Sequence, residues 1–102
     1  MNGRPDIVIS TSAYAGELLP AALASIAELA PAAEIRSFGL HTLLSRRNRA
    51  AAQEAALWYS VHGPFGYTGI WDADDSVRGA ALDEHRRHLE ASAGIGAHLY
   101  VV

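Results

Sequence analysis

Apolar positions recur along this chain with two periods, and the switch between them marks its elements. Ile7-Val8-Ile9 is a compact β-branched run closed by Ser10-Thr11-Ser12, which predicts a first strand. After Gly16, Leu19, Leu23, Ile26 and Ala30 recur at helical spacing. Pro20 fits the first turn of that helix, whose amides have no intrahelical partner to lose, and Pro31 marks the exit. Glu34-Ile35-Arg36-Ser37-Phe38 alternates with period two and stops at Gly39, predicting a second strand. Ser45 is placed to cap an alanine-rich helix running to about Leu57. Tyr59-Ser60-Val61-His62 is β-prone and is broken at once by Gly63-Pro64. A long loop then leads to a third helix capped by Asp75 or Ser76. Its inward positions would be Ala81, Leu82, Leu89 and Ala93, with Asp83 and Arg87 paired one turn apart on the outside. Gly94 and Gly96 end it, with Ile95 positioned for the apolar contact of a Schellman cap, and Ala97 to Val102 supplies a last strand.

The order β-α-β-α-β-α-β places the chain in the α/β class, with parallel strands joined by helical crossovers. Four parallel strands fit either an open doubly wound sheet or part of a closed barrel. Length alone favours the open sheet, because eight β/α units take about 250 residues. No glycine fingerprint for a dinucleotide or a P-loop phosphate follows any strand.

Composition narrows the function classes. A chain of 102 residues, half of them hydrophobic and 19% charged, with a net charge of −3, is an ordinary globular domain or part of one. Its mild acidity gives no general reason to bind nucleic acid or an anionic membrane. No apolar run approaches the roughly 18 residues of a membrane span, and a cytoplasmic location is the default. The absence of cysteine excludes disulfides, thiolate zinc sites and cysteine nucleophiles.

The candidate chemistry gathers where strands end, the position at which α/β proteins place ligands. His62 closes the third strand, and an imidazole serves both as metal ligand and as proton carrier near neutral pH. One imidazole does not define a metal site, since zinc takes three or four protein ligands. Glu34, on the second strand, could face inward in a polar cluster or simply pair with Arg36. Phe65, Tyr67 and Trp71 bring aromatic rings to the loop beyond His62, where a ring could stack on a sugar face, exclude water or merely anchor the loop. His85 and His88 have the spacing of a metal pair, yet His85 falls on the apolar stripe of its helix, which favours packing. His41 reads as a solvated loop residue, and Arg46, Arg47 and Arg49 as a basic face that could meet an anion or a partner.

Taken together, Ile9-Ser10-Thr11-Ser12, Glu34-Ile35-Arg36, Val61-His62-Gly63-Pro64-Phe65, the helix from Val77-Arg78 through His85 and Leu89 to Gly96-Ala97, and Tyr100-Val101-Val102 resemble the N-terminal half of the sugar phosphate isomerase/epimerase superfamily. This is the xylose isomerase-like TIM barrel group that also holds the endonuclease IV type of abasic-site nucleases (AP endonuclease family 2). The most specific piece is the strand ending in His-x-Pro-Phe. The resemblance implies a partial TIM barrel of about four strands and three helices over residues 1–102, with a divalent metal ion (Mn, Mg, Zn or Co) at the C-terminal face of the complete barrel. It implies a sugar or sugar phosphate substrate, with His62, Phe65, Trp71 and Glu34 lining its pocket. In the endonuclease branch the histidine matching His62 is a zinc ligand. Because about half of the barrel lies outside this match, the isolated chain is expected to be nearly inactive, to bind no metal alone, and to need either a second copy or a C-terminal half. Two alternatives stand beside the isomerase reading: an abasic-site phosphodiesterase fragment, and a non-catalytic half-barrel that self-associates.

Overall fold

Among the described residues four strands and three α-helices alternate: β1 (Ile9–Ser10), α1 (Leu19–Ala27), β2 (Ala32–Arg36), α2 (Arg46–Ala55), β3 (Trp58–His62), α3 (Asp75–Gly94) and β4 (Leu99–Val101). The structure is a computed structural model that describes residues 5–64 and 69–102. Short 3-10 turns at Thr11–Tyr14, Gly39–His41 and Gly69–Trp71 sit between strands and helices.

All pairings are parallel, and the sheet order is β1-β2-β3-β4. That order separates the two architectures the sequence left open. A doubly wound sheet reverses its strand order and covers both faces, whereas a sequential order lays every crossover on the same face. The core agrees, because Leu19, Leu23 and Ile26 of α1, Ala52 of α2, and Ala33, Ile35, Tyr59 and Val61 of the strands form one buried cluster, joined by Ile95 after α3. The fold is α/β, a partial barrel with its helices outside.

Local chemistry explains most boundaries. Pro20 lies in the first turn of α1, and the Ser45 hydroxyl accepts the Asn48 amide at the start of α2. Ala56 closes α2 in a left-handed conformation, φ 53°. After α3 the chain turns through Gly96 at φ +75°, while the Gly96 amide donates to Ala93 (3.0 Å) and the Ala97 amide to Ser92 (3.0 Å), the two bonds of a Schellman cap.

Several expectations are corrected. The first strand is confined to Ile9–Ser10, with Ile7 and Val8 exposed before it. β2 runs from Ala32 to Arg36, earlier than the alternation suggests, with Ala32 and Ala33 fully buried. Asp74 caps α3, its carboxylate accepting the Ser76 and Val77 amides. The inward stripe of α3 is Ala81, His85, His88 and Ser92, whereas Leu82 and Leu89 are exposed. On the outer face Arg86 pairs with Asp83 and Arg87 with Glu84, each at i,i+3, where Asp83 with Arg87 was expected.

Candidate functional site on the concave face of the sheet

Strand alternation sorts β2 and β3 into two faces. Ala33, Ile35, Tyr59 and Val61 turn toward the helices, so Glu34, Arg36, Ser60 and His62 turn the other way. The parallel register sets Glu34 against Ser60 and Arg36 against His62, and Ser10 of β1 against Glu34. The Ser60 hydroxyl donates to Glu34 Oε1 at 3.0 Å, and His62 Nδ1 lies 3.9 Å from Glu34 Oε2. Side chains that are 26 and 28 residues apart in sequence thus form one polar cluster, with His62 25% and Glu34 35% open to solvent. Each is therefore reachable by a ligand while held in a defined orientation.

Of the readings open for Glu34, the structure gives the polar cluster, in which Ser60 orients the carboxylate. Ser60 and Arg36 are site residues that attention to single motifs missed. Period-two alternation puts Arg36 on the face of Glu34 and Ser60 on the face of His62; the register that joins the two strands is not local.

Arg36 also lines a cleft of about 230 Å³ at the C-terminal rim of β1 and β2, together with Ser12, Ala15, Phe38, Gly39, Leu40 and His41. Its guanidinium carbon lies 6.0 Å from the centre of the Phe38 ring. His41, expected to be solvated, is buried, with Nε2 2.7 Å from the Glu17 carbonyl. Trp71, on the loop between β3 and α3, is 84% exposed, so the ring does not anchor its loop and its face is open. Phe65 and Tyr67 lie outside the described residues.

The histidines of α3 are structural. His85 Nδ1 is 2.8 Å from the Tyr100 hydroxyl, and His88 Nδ1 is 2.7 Å from the Ser37 hydroxyl. His88 Nε2 faces Glu84 at 3.4 Å, a carboxylate that can only accept, and burial lowers the His88 pKa below its usual value. The neutral ring therefore carries its proton on Nε2, and Ser37 Oγ donates to Nδ1 while accepting the Leu43 amide at 2.8 Å. Burial, with Glu84 nearby, pushes the Tyr100 phenol up to about 12, so it stays protonated. Gly63 is required where it stands, since a Cβ there would meet the Tyr100 hydroxyl and lie 2.9 Å from His85 Nδ1. Arg49, counted with a possible basic face, instead donates to the Leu43 and Leu44 carbonyls at 2.8 and 3.0 Å.

A solved structure, the crystal structure of a D-tagatose 3-epimerase-like protein, superimposes on 93% of this chain with a TM-score of 0.79 and 25% sequence identity. That likeness supports the xylose isomerase-like barrel superfamily. The chain spans 36% of the length of that epimerase-like protein. No family model matches the sequence, and no curated protein matches it.

Glu34 and His62 are two donors of the kind a divalent ion accepts. Two do not complete a coordination shell, and among the described residues no three histidine, aspartate or glutamate side chains group closely enough to hold a metal. No helix among them is long and apolar enough to cross a membrane.

Proposed function

We propose that this chain forms one wall of the active site of an isomerase or epimerase acting on a small polyhydroxylated carbonyl compound of the sugar or sugar phosphate class. The Glu34–Ser60–His62 cluster on the concave face carries this reading, and similarity to an epimerase-like barrel supports it. Ser60 occupies one carboxylate oxygen of Glu34 and fixes its plane. The other oxygen is directed toward His62, where a substrate hydroxyl or an acidic C–H could enter between them. Such a carboxylate can take the proton from the carbon beside a carbonyl, while the imidazole hydrogen-bonds the oxygen that gains charge. Returning the proton to the opposite face of that carbon inverts the centre, and this needs a second acid from across the lumen.

Four strands provide one side only. The opposite wall comes from a second copy of this chain or from a C-terminal half, and the 102-residue chain alone turns over substrate very slowly. A divalent ion would need ligands beyond Glu34 and His62, and no step is assigned to one here. The test is a nitrogen-15 NMR titration of the chain with a ketohexose, alongside an epimer assay. Saturable shifts at Glu34, Ser60 and His62, lost in Glu34→Gln with the rest of the spectrum intact, are expected. Shifts confined to the helical face, or none at tens of millimolar sugar, overturn the reading.

A further inference from the structure

We infer that Arg36 is a specificity residue that receives an anionic group, a phosphate or a carboxylate, at the rim of the same pocket. This deepens the proposed function and rests on it. All eight basic residues of the chain are arginines. Among those described, Arg36 is the only one on a strand, the others lying on α2 and α3. Arg36 shares the concave face with the Glu34–Ser60–His62 cluster, in a molecule of net charge −3 that offers an anion little general attraction.

The setting suits one small anionic group. The cleft of about 230 Å³ is large enough for one tetrahedral or carboxylate group, and its walls are the Ser12 side, the Phe38 ring and the loop at Gly39 and Leu40. The Arg36 amide is fixed by the Thr11 hydroxyl at 3.0 Å, and its guanidinium lies over Phe38. The backbone is thus fixed at Arg36 and the guanidinium is placed by the Phe38 ring, which limits the rotamer entropy lost when the fork binds two oxygens. Two residues along a strand span about 6–7 Å, so a substrate whose anionic end meets Arg36 places its carbons two to four bonds away against Glu34 and His62.

Inorganic phosphate and glycolate, each titrated into the labelled chain at constant ionic strength, test the inference and distinguish the two anions. Saturable shifts at Ser12, Arg36, Phe38 and Gly39 are expected with at least one of them. Binding should weaken at least tenfold in Arg36→Gln, by an intermediate factor in Arg36→Lys, which keeps charge but not the fork, and not at all in Arg78→Gln. Folding of each variant is read from the unchanged remainder of its spectrum, and Arg36→Lys decides if Arg36→Gln does not fold. Equal affinity in wild type and Arg36→Lys, shifts that follow ionic strength alone, or no binding of either anion overturns it. Ketohexose binding at Glu34 and His62 with no binding of either anion would leave the proposed function standing while refuting this inference. Arg36-dependent anion binding without ketohexose binding would instead overturn the proposed function, and with it the assignment of Arg36 to a sugar pocket.

Discussion

The two faces of β2 and β3 are built from alternate residues of the same ten positions, yet they obey opposite rules. Toward the helices, Ile35 and Val61 are fully buried and Tyr59 nearly so, the tyrosine hydroxyl donating to the Ala52 carbonyl at 2.7 Å. Away from them, Glu34 and His62 keep part of their surface open and spend their polar atoms on one another and on Ser60. A burial-driven face tolerates little change in volume, because interiors are packed as densely as organic crystals. A face held by a few partly exposed hydrogen bonds contributes less to stability and is free to contribute chemistry.

The largest effect expected from breaking this contrast is on stability. Ile35→Ala removes a fully buried side chain and should cost about 2–5 kcal/mol, a large share of what a small domain has. Glu34→Ala, one position earlier, should cost about 1 kcal/mol, the worth of a part-buried hydrogen bond. Urea denaturation of the two variants measures the difference. Equal losses would mean that the concave face is structural after all.

Gly63 joins the two faces, for it follows His62 while its backbone touches the Tyr100–His85 pair on the helical side. Gly63→Ala should cost about 1–3 kcal/mol through overpacking. It should also shift the His62 and Val101 resonances, since the Gly63 amide donates to the Val101 carbonyl at 2.8 Å. A variant as stable as wild type with unmoved resonances would show that the Tyr100 and His85 side chains yield without disturbing the backbone.

How far the chain could be read in advance follows the same division. Pro20, Ser45 and Gly96 after α3 act through local backbone geometry, and each stands where its chemistry put it. The polar cluster was half visible: Glu34 and His62 stood out singly, but their meeting depends on parallel register, which no local signal contains. The inward face of α3 was misread because hydrophobicity suggested Leu82 and Leu89. Histidines are buried there instead, since Ser37 and Tyr100, distant in sequence, satisfy their ring nitrogens. The cap of α3 falls at Asp74 and not at Asp75 or Ser76, because several neighbouring residues carry the capping chemistry and only backbone conformation selects among them.

That buried polar flank gives the smallest effect and shows that the helical face is not uniformly apolar. Burial holds the His88 imidazole below its ordinary pKa of 6.5; Glu84 opposes the shift, and His85 and Arg87 add to it. In the unfolded chain His88 takes up a proton near pH 6.5, whereas in the folded chain it stays neutral to a lower pH. Between those two values the unfolded state binds more protons, so this contribution to stability is complete above about pH 6.5 and is lost as pH falls below it. One group can change stability by at most about 1.4 kcal/mol per pH unit, and a partly offset shift should give less. Urea midpoints at pH 7.5 and 5.5 should therefore fall more for wild type than for His88→Gln, in which the amide cannot titrate. Parallel losses in the two proteins would move the pH sensitivity elsewhere and leave the Ser37–His88 contact as packing alone.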